Sequence, residues 1–373
     1  MRIGIDGLLL WGEYSGVEHT ILNLISALAR LGGNDYTLFV DRNFSAGDLP
    51  TVTLRRAPFS SRHRWRRFLW QQWAFPDAIA RERLDLFHAP GYIMPLRCPV
   101  PAVITVHDVI ALTHPRLCRR ANRWHFRRYL PQSVARAARV IVPTQATRDE
   151  LIRVTRLSAD KIHVIPWGIE KRFFRTYNAA SRERVCREYG LPERFFLFVG
   201  NWEPKKNLPS LLAAMALLRS AGRTEHLVIA GKLGWDYRHG LRLIEESESV
   251  SSAVHRIGYV KIGDLPALYA QCVAFVFPSI VEGFGLPPLE AMACGAPVIV
   301  SDCAALRETA GPGACVVPAD DPTALADEMV RVAEDSELRN QLIERGRAWA
   351  AQFTWEKTAR AVSEVYQEAA ARP

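Results

Sequence analysis

Between Phe275 and Asp302 the chain reads FVFPSIVEGFGLPPLEAMACGAPVIVSD, and that order of residues permits few folds. Phe275, Val276 and Phe277 suit a buried strand, which Pro278 ends. A loop carrying Glu282, Gly283 and Gly285 follows, and Pro287 and Pro288 supply the fixed φ of a first helical turn. Glu290 to Cys294 continue that helix, Gly295 and Pro297 close it, and Val298 to Val300 read as the next strand. Strand, loop, helix and strand in succession predict an α/β fold built on a parallel sheet. The free N–H groups and dipole of such a helix N-terminus make a seat for phosphate.

Two carboxylates, Glu282 and Glu290, flank the seat. Acid beside an anion site is understandable if the ligand also carries ribose or sugar hydroxyls, for which a carboxylate is a strong acceptor. Taken singly, Glu290 equally suits the helix dipole and Glu282 a solvated loop. The stretch as a whole resembles the E-x7-E signature of the family 4 retaining glycosyltransferases. That resemblance implies two Rossmann-like domains facing across a cleft, the GT-B architecture. It implies Glu282 near the donor sugar and phosphates, with Gly283, Phe284, Gly285 and Leu286 along the donor, and Glu290 on the nucleotide ribose. The implied domains are 1–170 for the acceptor and 171–354 for the nucleotide sugar. A last helix, residues 355–373, is expected to cross back to the first domain.

A chain of 373 residues has room for two cores. No apolar run is long enough to span a bilayer, and strand-like Arg2 to Asp6 directly after Met1 leaves no room for a signal peptide. Seven cysteines without a C-x-x-C spacing point to reduced thiols in a cytoplasmic protein. The net charge of +9 is uneven: residues 55–84 hold eight arginines against two acids, and residues 116–139 hold eight against none. The basic surface therefore belongs to the first half, and suits a polyanionic partner such as a membrane face or a phosphorylated substrate. No nucleic-acid motif is present, so nucleic acid is not expected.

Arg2 to Asp6 reads as a first strand, followed by a loop with Gly7, Gly12 and Gly16 and by a helix from Val17 to Leu31. The resemblance places Ser15-Gly16-Val17 where a glycine loop faces donor phosphates and acceptor. Tyr36 to Asp41 and Thr51 to Arg55 read as strands, then Arg62 to Phe75 as a basic helix with Trp65, Phe68, Leu69 and Trp73 close to one face. Such a helix fits either a core, with Arg62, Arg66 and Arg67 solvated, or the interface of an anionic bilayer. Leu84 to His88 and Val103 to His107 read as short strands whose carboxyl ends face a ligand crevice. Each histidine could orient a sugar hydroxyl or simply be satisfied by its neighbours. The TVHDV context of His107 resembles the family's histidine turn at the donor sugar, and Asp108 would hold either that turn or the ring. IPWGIE, from Ile165 to Glu170, resembles the family's inter-domain linker, with Trp167 in place of an asparagine.

In the second half, Phe195 to Gly200 is a strand, and Lys205 and Lys206 fall where the following loop meets a helix. There they could clamp a diphosphate as point charges. They coincide with the family's basic pair, although Asn201 stands where other members have arginine. The strand ending near Gly258, Tyr259 and Val260 resembles the one that cradles the nucleotide base. The reaction implied is sugar transfer from a nucleoside diphosphate with retained configuration, catalysed by Glu282, His107 and Lys206. GDP-mannose is favoured over a UDP-sugar, with a glycan or lipid-linked acceptor. No D-x-D occurs, so no metal and no other cofactor is expected. A phosphorylase or nucleotide-sugar epimerase on the same fold, or a non-catalytic basic membrane- or nucleic-acid-binding protein, stays open.

Overall fold

The structure is a computed structural model describing residues 1–11, 16–45, 49, 52–235 and 237–371, with only the backbone of His239. It comprises two compact units, Met1–Gly168 joined by Thr354–Pro373, and Ile169–Phe353.

Unit 1 is built on seven parallel strands: β1 (Arg2–Gly7), β2 (Asp35–Val40), β3 (Thr53–Arg56), β4 (Leu86–Ala89), β5 (Ala102–Thr105), β6 (Arg139–Val142) and β7 (Ile162–Val164). Their order across the sheet is β3-β2-β1-β4-β5-β6-β7. Helix α1 (Gly16–Leu31) buries Ile21, Leu24, Ile25 and Leu28, one stripe at helical spacing. Two further helices border the sheet's connections, α2 (Arg64–Trp73) and α3 (Arg120–Arg136).

Unit 2 has six parallel strands: β8 (Phe195–Val199), β9 (His226–Ala230), β10 (Val254–Gly258), β11 (Ala274–Phe277), β12 (Val298–Ser301) and β13 (Ala314–Val317). Their order is β10-β9-β8-β11-β12-β13. The helices that matter to its site are α4 (Leu208–Ser220) and α5 (Leu286–Ala293). The last helix, α6 (Trp355–Ala370), belongs to unit 1, where it packs on α1 and on β4, β5 and β6. It buries Ala359, Val362, Val365, Tyr366 and Ala369. Two doubly wound parallel sheets are thus the architecture expected of the chain.

In both sheets the first and fourth strands of the unit lie side by side, and the connections leave them in opposite directions. That point of reversal opens a crevice beyond the carboxyl ends of the strands, where α/β proteins bind ligands. In unit 1 it lies between β1 and β4, and in unit 2 between β8 and β11.

Two local expectations are corrected. His107 does not end a strand: β5 stops at Thr105, because the Asp108 carboxylate accepts from the Ile110 amide at 3.0 Å and turns the chain out of the sheet. The helix expected to reach Phe75 ends at Trp73, since Pro76 restricts the residue before it and opens a second helix, Phe75–Arg81. No side chain of α2 is fully buried, and Trp65, Leu69 and Trp73 are 62%, 54% and 73% exposed. Phe68 departs from that face and packs on His125 and Tyr129, with ring centroids 5.0 and 4.5 Å away. Arg62 and Arg66 are exposed, but Arg67 is turned inward to face the charge of Asp6.

Candidate active site

At the unit 2 crevice, the loop after β8 and the loop after β11 meet. The first forms a single tight turn, Pro204–Lys206, and Asn207 leaves it in the left-handed region at φ 56°. The Asn207 side-chain amide donates to the Ala319 carbonyl at 2.7 Å, which fixes the entry into α4. The Ile280 amide donates to the Lys205 carbonyl at 2.8 Å, which ties the two loops together. This brings Lys206 Nζ to 2.6 Å from Glu282 Oε1 and Lys205 Nζ to 3.7 Å from Oε2. Beneath them the Phe277 ring lies 4.4 Å from Lys206 Nζ, a cation–π contact.

Glu282 is ionised. Burial alone would push the Glu282 carboxyl up, but the Lys205 and Lys206 ammonium groups outweigh it and hold its pKa below the usual range. Lys206 is drawn below its ordinary value by burial, against the pull of Glu282. The glycines leave the backbone open around this cluster. A Cβ on Gly231 would stand 2.0 Å from the Gly200 carbonyl oxygen, so only glycine permits the approach of β9 to the end of β8. Gly285 precedes α5 at φ 100°, outside the reach of ordinary side chains, and turns the first amides of the helix toward the loop.

Glu290 lies in the second turn of α5, partly buried, and accepts a hydrogen bond from Tyr269 Oη at 3.3 Å. Burial, reinforced by the charge of Glu170, raises its carboxyl to about 8 against the pull of Tyr269 and Arg172. At pH 7 the Glu290 carboxyl is therefore mostly protonated. Phe284 is in the core, its ring 6.1 Å from that of Phe353 and its carbonyl accepting from Thr309 Oγ1 at 2.7 Å. Gly283 is buried and Leu286 half-buried. Beyond β10, Val260 is buried while Tyr259 is exposed, with Lys232 Nζ 4.7 Å over its ring.

The remaining residues singled out above are in unit 1. The His107 imidazole lies between the Tyr92 and Trp167 rings, at 5.2 and 5.5 Å, and its Nε2 donates to the Pro90 carbonyl at 2.8 Å. Burial lowers its pKa, so the ring is neutral, with Nδ1 the acceptor. Asp108 holds the turn rather than the ring, bonding Tyr92 Oη at 2.8 Å. His88 is structural: its nitrogens meet Tyr366 Oη at 2.7 Å and Thr105 Oγ1 at 2.8 Å. Gly16 opens α1, and Ser15 lies outside the described residues. Lys232, Tyr269 and Phe277 join the site without having been assigned to it from the sequence. For Lys232 the signal was available, a lysine directly after a glycine at a strand's carboxyl end.

A model of the group 1 glycosyl transferases matches residues 183–349, and a model of Glycosyltransferase Family 4 matches residues 14–173. The chain is 32% identical to an O-antigen chain mannosyltransferase B of Escherichia coli over 77% of its own length and 74% of that protein. The chain belongs to the family 4 glycosyltransferases. This glycosyltransferase is also 30% identical, over 73% of its length, to the serotype-specific mannosyltransferase WbdA of Escherichia coli, of which it spans only 34%. Its fold matches that of HepE from Anabaena, solved in complex with UDP and glucose, with a TM-score of 0.77 at 19% identity over 98% of this chain and 99% of that one. Among the described residues, no helix is long and apolar enough to cross a membrane.

Proposed function

We propose that this glycosyltransferase takes its sugar, mannose, from a nucleoside diphosphate held by unit 2, with GDP-mannose the donor. It passes the sugar to a glycan or lipid-linked acceptor with retained anomeric configuration and without a metal ion. The observation that carries this reading is Glu282 gripped by two lysines beside a glycine loop and the α5 N-terminus. As the glycosidic bond breaks, negative charge gathers on the diphosphate, where Lys205, Lys206 and the loop amides stabilise it. Glu282 keeps both ammonium groups ordered before the donor arrives, and its carboxylate favours the positive charge developing on the sugar. The departing phosphate then serves as base for the incoming hydroxyl, since no side chain of the cluster is placed as a nucleophile. The choice of mannose rests on the names of the relatives.

A thermal-shift series with GDP, UDP and ADP tests the donor, because a ligand of the native state raises the melting temperature. GDP is expected to give the largest shift, and transfer from GDP-mannose is expected to change less than about twofold in EDTA. Absence of a shift with every nucleotide would remove the reading, and a collapse of activity in EDTA would remove its metal independence.

Unit 1 is proposed to touch an anionic membrane surface through α2. Trp65, Leu69 and Trp73 form an exposed apolar stripe, and Trp124 on α3 is also exposed. Arg62, Arg66, Arg119, Arg120, Arg123 and Arg127 are exposed on the same segments, which pairs interfacial tryptophan with positive charge. The wild-type protein is expected to co-sediment with phosphatidylglycerol vesicles and not with phosphatidylcholine ones. Changing Trp65 and Trp73 together to serine should reduce that association at least several-fold while leaving transfer to a water-soluble acceptor unchanged. Equal sedimentation of variant and wild type would refute the contact.

A further inference from the structure

In unit 2 the loop after β11 carries one polar group that its surroundings leave unsatisfied. Pro278, having no N–H, ends β11, and beyond it the Ser301 hydroxyl at the end of β12 donates to the Ser279 carbonyl. The next amide, that of Ile280, is the one bound to the Lys205 carbonyl. The backbone is thus tied on both sides of the Ser279 side chain. That side chain is fully buried, yet its hydroxyl has no hydrogen-bond partner among the described residues. A buried hydroxyl left in this state costs stability, which alanine in the same space would not. Glu282 feels it all the same: against burial, which raises its carboxyl, Lys205 and Lys206 pull hardest downward and Ser279 adds to them. The hydroxyl is therefore close to the carboxylate without a formed bond to it.

What such a hydroxyl is for follows from who serves Glu282. Its oxygens are met by ammonium groups, Lys206 Nζ at 2.6 Å and Lys205 Nζ at 3.7 Å. Those are the same groups that a diphosphate attracts, with more negative charge than one carboxylate carries. An ammonium drawn that way leaves Glu282 short of a donor. Its side chain is only 8% exposed, so water has little access to make good the loss. A serine hydroxyl reaches a nearby acceptor by turning about its own side-chain bonds, with no shift of backbone. Being neutral, it satisfies the carboxylate without cancelling the negative charge that favours a positively charged sugar.

We propose that Ser279 is a positioning residue for sugar transfer: its hydroxyl donates to the Glu282 carboxylate once a bound diphosphate draws Lys206 toward itself, and so keeps that carboxylate in place. The proposal rests on the reading of unit 2 as the holder of a nucleoside diphosphate, and adds a change of partners at Glu282 on binding. The unsatisfied hydroxyl is then a donor held in reserve, and its cost is borne only while the lysines stay with Glu282.

The test compares wild type with Ser279→Ala and Ser279→Cys, the second nearly the size of serine but a weaker donor. Without ligand, Ser279→Ala should melt at or above the wild-type temperature, since no formed bond is lost. Its GDP affinity should stay within about threefold of wild type, the worth of one hydrogen bond. Its kcat, read as GDP released from GDP-mannose with a mannose-terminated oligosaccharide, should fall about tenfold, the split expected when a group acts mainly in the transition state. Ser279→Cys should lie between the two. A crystal structure of the GDP complex should place Ser279 Oγ roughly 2.5–3.0 Å from a Glu282 oxygen. The proposal is overturned if Ser279→Ala turns over like wild type, if it melts well below wild type or fails to fold without ligand, or if cysteine recovers nothing. A GDP complex with the hydroxyl still unbonded overturns it as well. Failure of the wild-type chain to bind GDP, UDP or ADP is a different result: it removes the donor reading, and this proposal with it.

Discussion

Lys206→Ala is expected to lower the transfer rate by about 10²–10³-fold, the usual effect of deleting one donor aimed at charge that grows in the transition state. The same change should destabilise unit 2. It strands the Glu282 carboxylate, whose side chain is 8% exposed, with Lys205 at 3.7 Å as its nearest remaining cation. Removing one partner of a buried pair costs about 3–5 kcal/mol, and the residual Lys205 contact argues for the lower end. Stability and catalysis are separated by a double change. Lys206→Met with Glu282→Gln removes both charges, keeps the packing on Phe277, and should recover most of the melting temperature while staying inactive. If Lys206→Ala alone transfers sugar near the wild-type rate, the diphosphate is not held by this lysine.

The second large effect concerns Glu290 and is read against pH. Its carboxyl is raised from 4.5 to about 8 in the fold, so the folded protein keeps a proton that the unfolded chain releases. That stability is fully present below pH 4.5 and is lost progressively as pH rises toward 8. Glu290→Gln, which cannot ionise, should therefore match wild type near pH 4.5 and exceed it at pH 8, by an amount on the order of 3–5 kcal/mol. Nucleotide affinity should move the opposite way. A ribose diol donates two hydrogen bonds and is best met by the ionised carboxylate, so binding should release a proton near neutral pH and the glutamine variant should bind at least tenfold more weakly. Calorimetry in two buffers of different ionisation enthalpy measures that release. Melting curves that are parallel for the two proteins from pH 4.5 to 8 would contradict the raised value.

The architecture was legible because it rests on periodic burial and turn chemistry. β11, the glycine loop and α5 could be read from Phe275 to Cys294 because prolines and glycines there allow little else. The resemblance placed Lys206 and Glu282 each near the donor but did not pair them, since the two are 76 positions apart and meet through strand order. What escaped the sequence was the direction in which side chains point on partly buried helices. On α2 the tryptophan spacing fitted core and interface equally, and the outcome depended on His125 and Tyr129 offering Phe68 a partner while Trp65 and Trp73 stayed exposed among the described residues. The protonation state of Glu290 was equally hidden, because it depends on how deeply Tyr269 and α5 close over one carboxyl group.

Unit 2 begins at Ile169 and ends at Phe353, and the amide of the first donates to the carbonyl of the second at 3.0 Å. The whole of unit 2 is therefore an insertion, spliced into unit 1 between Gly168 and Thr354 with its two ends already clasped. A segment closed in this way can be excised as one fragment and should fold alone, whereas trimming the chain from its C-terminus strips α6 from the other unit and leaves His88 without Tyr366. Gene fragments meant to isolate unit 2 should be cut at both clasped ends, never at one.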